Sequence, residues 1–221
     1  MQEIPSQITR LCLIRHGETE WNAERRIQGQ IDIGLNPTGL VQARAAGRWL
    51  RGAGIVALYS SDLKRAATTA DEIAAELGLT VSRHPELRER CYGIFQGLTY
   101  VEAAARHPDG YAAFEGRNAD YAFENGESLK TMYARVTGKL REIAAGHVGG
   151  TVAVVVHGGV LDIVNRFVRG TPLEQPRDFL IPNAGLNWIV AVDGAKGTKW
   201  QIESWGETEH LEPGALDELP S

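Results

Sequence analysis

An arginine and a histidine follow the first apolar run of the sequence. Residues 11–14 are all apolar, and Arg15, His16 and Gly17 come directly after them. Successive side chains of a strand face opposite ways, so Arg15 and His16 share a pocket only if the chain turns, and Gly17 permits that turn. In such a pocket the guanidinium can bind a dianionic group, and the imidazole can attack this group as a nucleophile. We therefore expect a phosphate ester as the ligand.

A second apolar run also ends in a histidine. Residues 151–156 lead into His157 and Gly158, and a helical pattern follows from 160 to 168. In an open parallel sheet, ligands bind in the crevice outside the carboxyl ends of the strands. Histidines that end two buried strands can therefore lie side by side although they are far apart in sequence. The pattern predicts one site that contains both His16 and His157.

Arg65 is a third candidate for this site. It lies in the first turn of an alanine-rich helix predicted over 63–77, for which Ser61 or Asp62 is the expected N-cap. A cation in the first turn opposes the positive end of the helix dipole by several tenths of a kcal/mol, so we expect an anion to compensate it. Because a predicted strand ends just before this helix, Arg65 should project toward the same rim as His16.

The elements around these residues alternate between strands and helices. Asn36 and Pro37 form a helix start, a strand is predicted over 55–59, and a long amphipathic helix leads from Leu129 into the strand before His157. Two alternating runs, 186–192 and 198–204, predict an antiparallel hairpin at the sheet edge. The alternation predicts an α/β fold with three layers, α/β/α, and a mainly parallel central sheet.

The chain is expected to form a single domain, residues 1–221, with a helical, lid-like insertion at about 93–127. A capping box at Thr99 starts a helix in this insertion, and residues 107–127 are expected to be mostly irregular. The insertion and its border are rich in Tyr and Phe. These rings could form an apolar lid over an organic leaving group or provide the ordinary packing of a helical subdomain, and the sequence favours neither.

The composition limits the partners and the compartment. A formal net charge of -5 offers no basic field for nucleic acid or for an anionic membrane, so an anion must be bound by a few local arginines. The sequence shows no apolar stretch of signal-peptide or membrane-span length, which predicts a cytoplasmic protein. Trp188 and Trp200 on the predicted hairpin fit either the edge of a homodimer or a monomer in which they cover the sheet.

The motifs described above occur together in a known protein family. Four separated segments, in this order, resemble the histidine phosphatase superfamily, which is also called phosphoglycerate-mutase-like. They are Arg15-His16-Gly17-Glu18-Thr19-Glu20-Trp21-Asn22, Ser61-Asp62-Leu63-Lys64-Arg65-Ala66, Leu87-Arg88-Glu89-Arg90-Cys91-Tyr92-Gly93 and His157-Gly158. The similarity runs from about residue 11 to about residue 211. The small bacterial mutase-like phosphatases are the most similar in appearance, since 22–29 is a further match.

The resemblance implies a role for each candidate residue. His16 would attack phosphorus through one ring nitrogen while a backbone carbonyl holds the other. The phosphoryl oxygens would be held by these groups: Arg15, Asn22, Arg65, His157 and the Gly158 amide, with Gln28 as a further amide contact. Glu89 would protonate the leaving alcohol and later take a proton from water. No metal and no cofactor is then needed, and the other histidines have no metal-binding spacing.

Three functions are compatible with these residues. The leading hypothesis is a metal-independent phosphatase that hydrolyses small phosphorylated metabolites through phosphohistidine. The alternative is a phosphoglycerate mutase, which returns the phosphoryl group to the substrate; the segment after the acid motif is short and contributes few cations, which favours access of water. The third is a noncatalytic phosphate-binding domain, which the complete set of candidate catalytic residues disfavours.

Overall fold

The computed structural model describes residues 7–194 and 197–212. Within these residues one sheet has six strands: β1 (Gln7–Arg15), β2 (Ile55–Ser60), β3 (Val81–Arg83), β4 (Thr151–Val156), β5 (Leu186–Asp193) and β6 (Lys199–Glu207). Their order in the sheet is β3-β2-β4-β1-β5-β6. The first four in this order are parallel, whereas β5 is antiparallel to both β1 and β6.

The helices connect these strands. They are α1 (Glu20–Ala23), α2 (Pro37–Trp49), α3 (Lys64–Leu77), α4 (Tyr100–Arg106), α5 (Pro108–Glu115), α6 (Leu129–Gly146) and α7 (Gly158–Arg169), with 3₁₀ turns at Pro85–Leu87 and Gly93–Phe95. None of the helices in the described ranges is long and apolar enough to cross a membrane.

The strand side chains alternate between two cores. Leu11 and Leu13 of β1 pack with residues of α6 and α7 on one face, and Cys12 and Ile14 pack with residues of α2 and α3 on the other. This alternation is the period-2 geometry of a strand that is covered on both sides. The predicted α/β fold is therefore confirmed, with three layers, a mainly parallel sheet and an antiparallel edge hairpin.

Two local predictions are wrong. The N-cap of α3 is Leu63, which has extended backbone, because the Ser61 hydroxyl accepts from the Leu63 N–H while Asp32 accepts from the Lys64 N–H at 2.7 Å. The carboxylate of Asp32, which is distant in the sequence, thus provides an acceptor for a backbone N–H at the start of this helix.

The second difference lies in the segment expected to be irregular, which contains α5. Pro108 stands in the first turn of this helix, where its missing N–H costs nothing. Tyr111 and Phe114 of α5 pack against a cluster that contains the fully buried Phe95. Packing against this cluster stabilises a short helix whose own periodicity is weak.

The parallel strands position the site. Arg15 at the end of β1 lies in register with Val156 at the end of β4. The next residues, His16 and His157, therefore leave neighbouring strands at the same edge of the sheet. This is the crevice in which ligands of open α/β sheets bind.

Candidate active site

The protonation of His16 follows from its two hydrogen-bond partners. Its Nδ1 lies 2.7 Å from the carbonyl oxygen of Gly17, which can only accept, so Nδ1 carries the proton. Its Nε2 lies 3.3 Å from Nε of Arg65, which can only donate, so Nε2 holds a lone pair. The imidazole is therefore neutral, and Nε2 is the nitrogen that can attack an electrophile.

The surroundings of His16 also keep the ring neutral. Burial lowers its pKa well below the ordinary value, and the charges of Arg65 and Arg15 lower it further. The hydrogen bond to Gly17 opposes these effects only in part. A buried imidazole beside two guanidinium groups is poorly able to accept a proton and keeps the lone pair on Nε2.

Gly17 is required for a different reason from the one expected. Its backbone does not adopt a left-handed conformation. Instead, a Cβ at this position would overlap the backbone carbonyl of Gly39 in α2. Close packing of the chain after His16 against α2, rather than conformational freedom, excludes a side chain here.

Two buried arginines flank His16. Besides its contact with His16, Arg65 donates from Nη2 to the Gly29 carbonyl at 2.7 Å and from Nη1 to the Ile31 carbonyl at 3.1 Å. Arg15 donates from Nη1 to the Ile181 carbonyl at 2.6 Å. Each side chain is only 1% exposed. These bonds to backbone carbonyls hold both guanidinium groups in place.

His157 lies next to His16. The ring centroids are 5.2 Å apart, and the His157 side chain is fully buried. Neither of its ring nitrogens has a hydrogen-bond partner among the described residues. Burial lowers the pKa of His157 well below its ordinary value, and the nearby charge of Arg65 lowers it further. A buried imidazole with unpaired nitrogens is suited to bind a polar ligand group.

Glu89 is held against the first turn of α7. Its Oε2 accepts from the backbone N–H of Gly159 at 2.8 Å, and its Oε1 accepts from the N–H of Arg90 at 2.6 Å. The side chain of Glu89 is buried. The structure thus brings Glu89 to the end of the sheet where His157 and Gly158 lie.

Asn22 and Gln28 lie at the border of this group. Oδ1 of Asn22 caps α1 by accepting from the backbone N–H and the hydroxyl of Thr19, so only its amide nitrogen remains for a ligand. Asn183 donates to both Asn22 and the His16 carbonyl, and sequence reasoning missed it. Gln28 is buried, and its Oε1 has no partner among the described residues.

Sequence reasoning also missed an ion pair behind Glu89. Nη1 of Arg135 donates to the carbonyls of Glu86 and Arg88, and Nη2 donates to the carbonyl of Glu89 at 3.1 Å. The same guanidinium forms two bonds to Glu127, which also accepts from the Cys91 N–H. The Asn125-Gly126-Glu127-Ser128 segment marks the position of Glu127 in the sequence. Its spacing does not indicate that Arg135 of α6 is the partner of Glu127.

A small cavity of about 80 Å³ lies at the start of α7. It combines the start of α7 with aromatic and basic side chains. It is lined by Arg90, Tyr92, Tyr100, Phe114, Arg117, Leu129, Met132, Gly158, Gly159, Asp162 and Arg177. The lining contains three arginines and one aspartate, and guanidinium groups are suited to bind an anionic group. In the part of the chain that the structure describes, no group of three His, Cys, Asp or Glu side chains is placed to hold a metal ion.

The family model described as "Histidine phosphatase superfamily (branch 1)" matches residues 11–208. "Phosphoglycerate mutase-like protein 4" of Arabidopsis thaliana is 42% identical over 205 residues, which cover 91% of this chain and 86% of the relative. "Metal-independent phosphoserine phosphatase" of Arabidopsis thaliana is 41% identical over 212 residues, which cover 95% of this chain and 86% of the relative.

A solved structure agrees with these relatives. The structure of mycobacterial glucosyl-3-phosphoglycerate phosphatase in complex with VO3 has a TM-score of 0.80 and 29% identity, and the match covers 90% of this chain and 99% of that chain. Family model, relatives and fold agree with the strand-histidine geometry described above. The chain therefore belongs to branch 1 of the histidine phosphatase superfamily and is a phosphatase.

Proposed function

We propose that Nε2 of His16 is the nucleophile that takes the phosphoryl group from a small phosphate monoester. Nε2 forms a bond to phosphorus while the bond from phosphorus to the ester oxygen breaks. The departing oxygen takes a proton from the carboxyl group of Glu89. The observation that carries this proposal is the tautomer of His16, which leaves the Nε2 lone pair next to Arg65.

The second step returns the enzyme to its starting state. Water attacks phosphorus, the carboxylate of Glu89 takes a proton from this water, and the bond from phosphorus to Nε2 breaks. Inorganic phosphate leaves, and His16 regains its lone pair while Nδ1 keeps its proton. Each oxygen of Glu89 accepts one backbone N–H, which holds the carboxyl group in place for the proton transfers.

The charge on the phosphoryl oxygens needs donors in both steps. Arg15 and Arg65 flank His16, neutral His157 can donate from one ring N–H, and the N-terminus of α7 contributes the Gly158 N–H. Donors held in place before the reaction stabilise the transition state more than mobile ones, because they need no reorganisation. We assign the same role to the amide groups of Asn22 and Gln28 at the border of the site.

We further propose that the alcohol part of the substrate carries a carboxylate. The cavity is lined by Gly159, which donates its N–H to Glu89, and its arginines include Arg90 and Arg117. Guanidinium groups bind carboxylates through strong, charge-assisted hydrogen bonds. The names of two similar proteins, a phosphoserine phosphatase and a glucosyl-3-phosphoglycerate phosphatase, support this class, since both substrates contain a carboxylate.

The segment 93–127 is proposed to act as a lid-like insertion of the single domain. Tyr100 and Phe114 from this segment line the cavity. Phe114 also packs in the aromatic cluster around Phe95, so the same rings stabilise the insertion and contact the leaving group. In this proposal the aromatic residues therefore serve both as a lid over the leaving group and as the packing of the helical segment.

Release of inorganic phosphate from a panel of esters tests the proposed function. O-phosphoserine and 3-phosphoglycerate should have kcat/KM values at least about tenfold above those of O-phosphoethanolamine and glycerol 3-phosphate, which lack the carboxylate. Equal values would contradict the proposed substrate class. Conversion of 3-phosphoglycerate to 2-phosphoglycerate faster than phosphate release would instead show a mutase.

The nucleophile and the metal independence need separate measurements. His16→Ala should lose turnover and the acid-labile phosphoenzyme, while inorganic phosphate still binds to the remaining arginines. The wild-type rate should be unchanged in excess EDTA. An unchanged rate in His16→Ala would refute the nucleophile, and loss of rate on chelation, restored by a divalent ion, would refute the metal-free mechanism.

A further inference from the structure

The two carboxylate oxygens of Asp162 have different environments. Oδ2 accepts from Nη2 of Arg117 at 2.6 Å and from Nε of Arg166 at 3.0 Å. Oδ1 is buried and has no hydrogen-bond donor among the described residues. The side chain of Asp162 is only 10% exposed. A buried carboxylate oxygen without a donor is costly, so this oxygen is suited to a donor that arrives with a ligand.

The position of Asp162 relates this oxygen to the reaction. Asp162 lies on α7 one turn beyond Gly158, and both residues line the cavity at the start of this helix. Residues four apart lie on the same face of a helix, about 5.4 to 6 Å from one another along its axis. A ligand that extends from the phosphoryl site along α7 therefore reaches Asp162 within about one helical turn.

The groups around Asp162 indicate the chemistry of this ligand. Arg117 donates to the Asp162 carboxylate and to the Leu173 carbonyl, and it lines the same cavity. The cavity thus presents a cation and an anion side by side. An ammonium and a carboxylate on one carbon atom match this pair, because each charge of the ligand meets its opposite. A hydroxyl in place of the ammonium would be a weaker donor to a charged oxygen.

We propose that Oδ1 of Asp162 binds the α-ammonium group of a phosphorylated amino acid, while the neighbouring arginines bind its carboxylate. This assignment rests on the proposed function, which supplies the phosphoryl site and the class of carboxylate esters. It adds a second requirement for the substrate, namely a cationic donor next to the carboxylate. Asp162 is then a residue that determines specificity and takes no part in the bond changes.

The matched substrates O-phosphoserine and 3-phosphonooxypropanoate test this proposal. They share the ester and the carboxylate, and they differ only in the amino group. In the wild-type enzyme kcat/KM should be at least about tenfold higher for O-phosphoserine, because a site built for a donor leaves its acceptor unpaired with the other substrate. Equal values in the wild-type enzyme overturn the proposal without any variant.

Asp162→Asn provides the second test. The variant keeps an oxygen for the arginines and replaces the charged acceptor with a neutral amide, so the preference for O-phosphoserine should fall to about twofold or less. Asp71→Asn is the control, since Asp71 forms an exposed ion pair with Arg83 and should keep the wild-type preference. A preference that survives in Asp162→Asn, with both rates lowered equally, overturns the proposal and shows that Asp162 only supports the arginines.

These experiments distinguish a failure of this inference from a failure of the proposed function. The proposed function fails if the carboxylate itself gives no advantage over O-phosphoethanolamine. The present inference fails if the carboxylate gives an advantage and the amino group adds nothing to it. Phosphate release from 4-nitrophenyl phosphate, which has neither group, measures the intact catalytic centre of each variant.

Discussion

The backbone N–H of Gly159 donates to Oε2 of Glu89 at 2.8 Å and joins two residues that are 70 positions apart. This bond ties the loop of the proposed acid to the helix that begins after His157. The proposed proton carrier and His157, a proposed phosphoryl ligand, are therefore joined to the same helix. Substitutions on either side of this contact should separate activity from stability.

Glu89→Gln keeps the shape of the side chain and removes its transferable proton. An alkyl phosphate needs protonation of its departing oxygen, whereas 4-nitrophenolate leaves readily without it. The variant should therefore lose about 10²- to 10⁴-fold in rate on the alkyl ester and less on the aryl ester. Single-turnover kinetics on both esters measure the chemical step.

The water step provides the check on this result. If dephosphorylation limits the aryl ester, acid-labile phosphoenzyme should accumulate in Glu89→Gln, because the base for water is also missing. Equal, severalfold losses on both esters without phosphoenzyme would argue that Glu89 is structural.

Gly159→Ala places a methyl group against the Glu89 carboxylate. The added Cβ overlaps Oε1 of Glu89, which is the end of a flexible side chain and can move away. The fold should therefore persist while kcat falls by at least about tenfold, since Glu89 leaves its position. Urea unfolding and phosphate release, measured on the same preparation, separate the two effects.

Gly138→Ala is the matched control for this substitution. Gly138 lies in α6, and a Cβ there meets no atom within 4 Å. Alanine in a helix interior is favoured over glycine by about 0.5–1 kcal/mol, so this variant should be slightly more stable and fully active. Wild-type kcat in Gly159→Ala would show that Glu89 is not held by this contact.

Arg135→Lys tests the support behind Glu89. A lysine ammonium cannot span the carbonyls of Glu86, Arg88 and Glu89 and also form two bonds to Glu127. The loop should loosen, and kcat should fall by roughly tenfold with a smaller change in KM. Steady-state kinetics on an alkyl and an aryl ester should show the larger loss on the alkyl ester, as for Glu89→Gln.

Arg106→Lys serves as the control for the charge-conserving change, because the Arg106 side chain is exposed and pairs loosely with Glu102. It should leave kcat unchanged. If Arg135→Lys lowers only the free energy of unfolding and keeps the wild-type kcat for both esters, Arg135 does not position the acid.

The lowered pKa values of His16 and His157 predict how stability depends on pH. Below about pH 6.5 the unfolded chain binds protons on both imidazoles, whereas the folded protein keeps them neutral. The free energy of unfolding should therefore decrease as pH falls below about 6.5, by up to about 1.4 kcal/mol per pH unit for each histidine. Above about pH 8, where the imidazoles of the unfolded chain are also neutral, these two groups should contribute little pH dependence.

Urea unfolding between pH 7.5 and pH 5.5 measures this dependence. The double variant His16→Gln and His157→Gln lacks both groups, so its stability should change less over the same interval. An identical slope in the wild-type protein and the double variant would show that other groups cause the loss at low pH.

The local sequence determined the elements and the candidate residues. Apolar runs at 11–14 and 151–156 specify strands covered on both faces, because alternate side chains pack in two separate cores. The capping box at Thr99 and the Asn36-Pro37 start both mark helix ends correctly, since caps depend on neighbours within four residues. Histidines after two such strands predicted one site, and the topology brings them together.

The tertiary structure alone decided the contacts that give these residues their properties. The tautomer of His16 depends on its contact with Arg65, and the placement of Glu89 depends on the N–H of Gly159. Asp162 has one oxygen without a donor because Arg117 and Arg166 both donate to the other oxygen. Most of these partners lie tens of residues apart and meet only when the sheet and helices pack. Spacing predicts local periodicity and caps, but a hydrogen bond between distant residues requires positions accurate to a few tenths of an ångström, which only the packed fold provides.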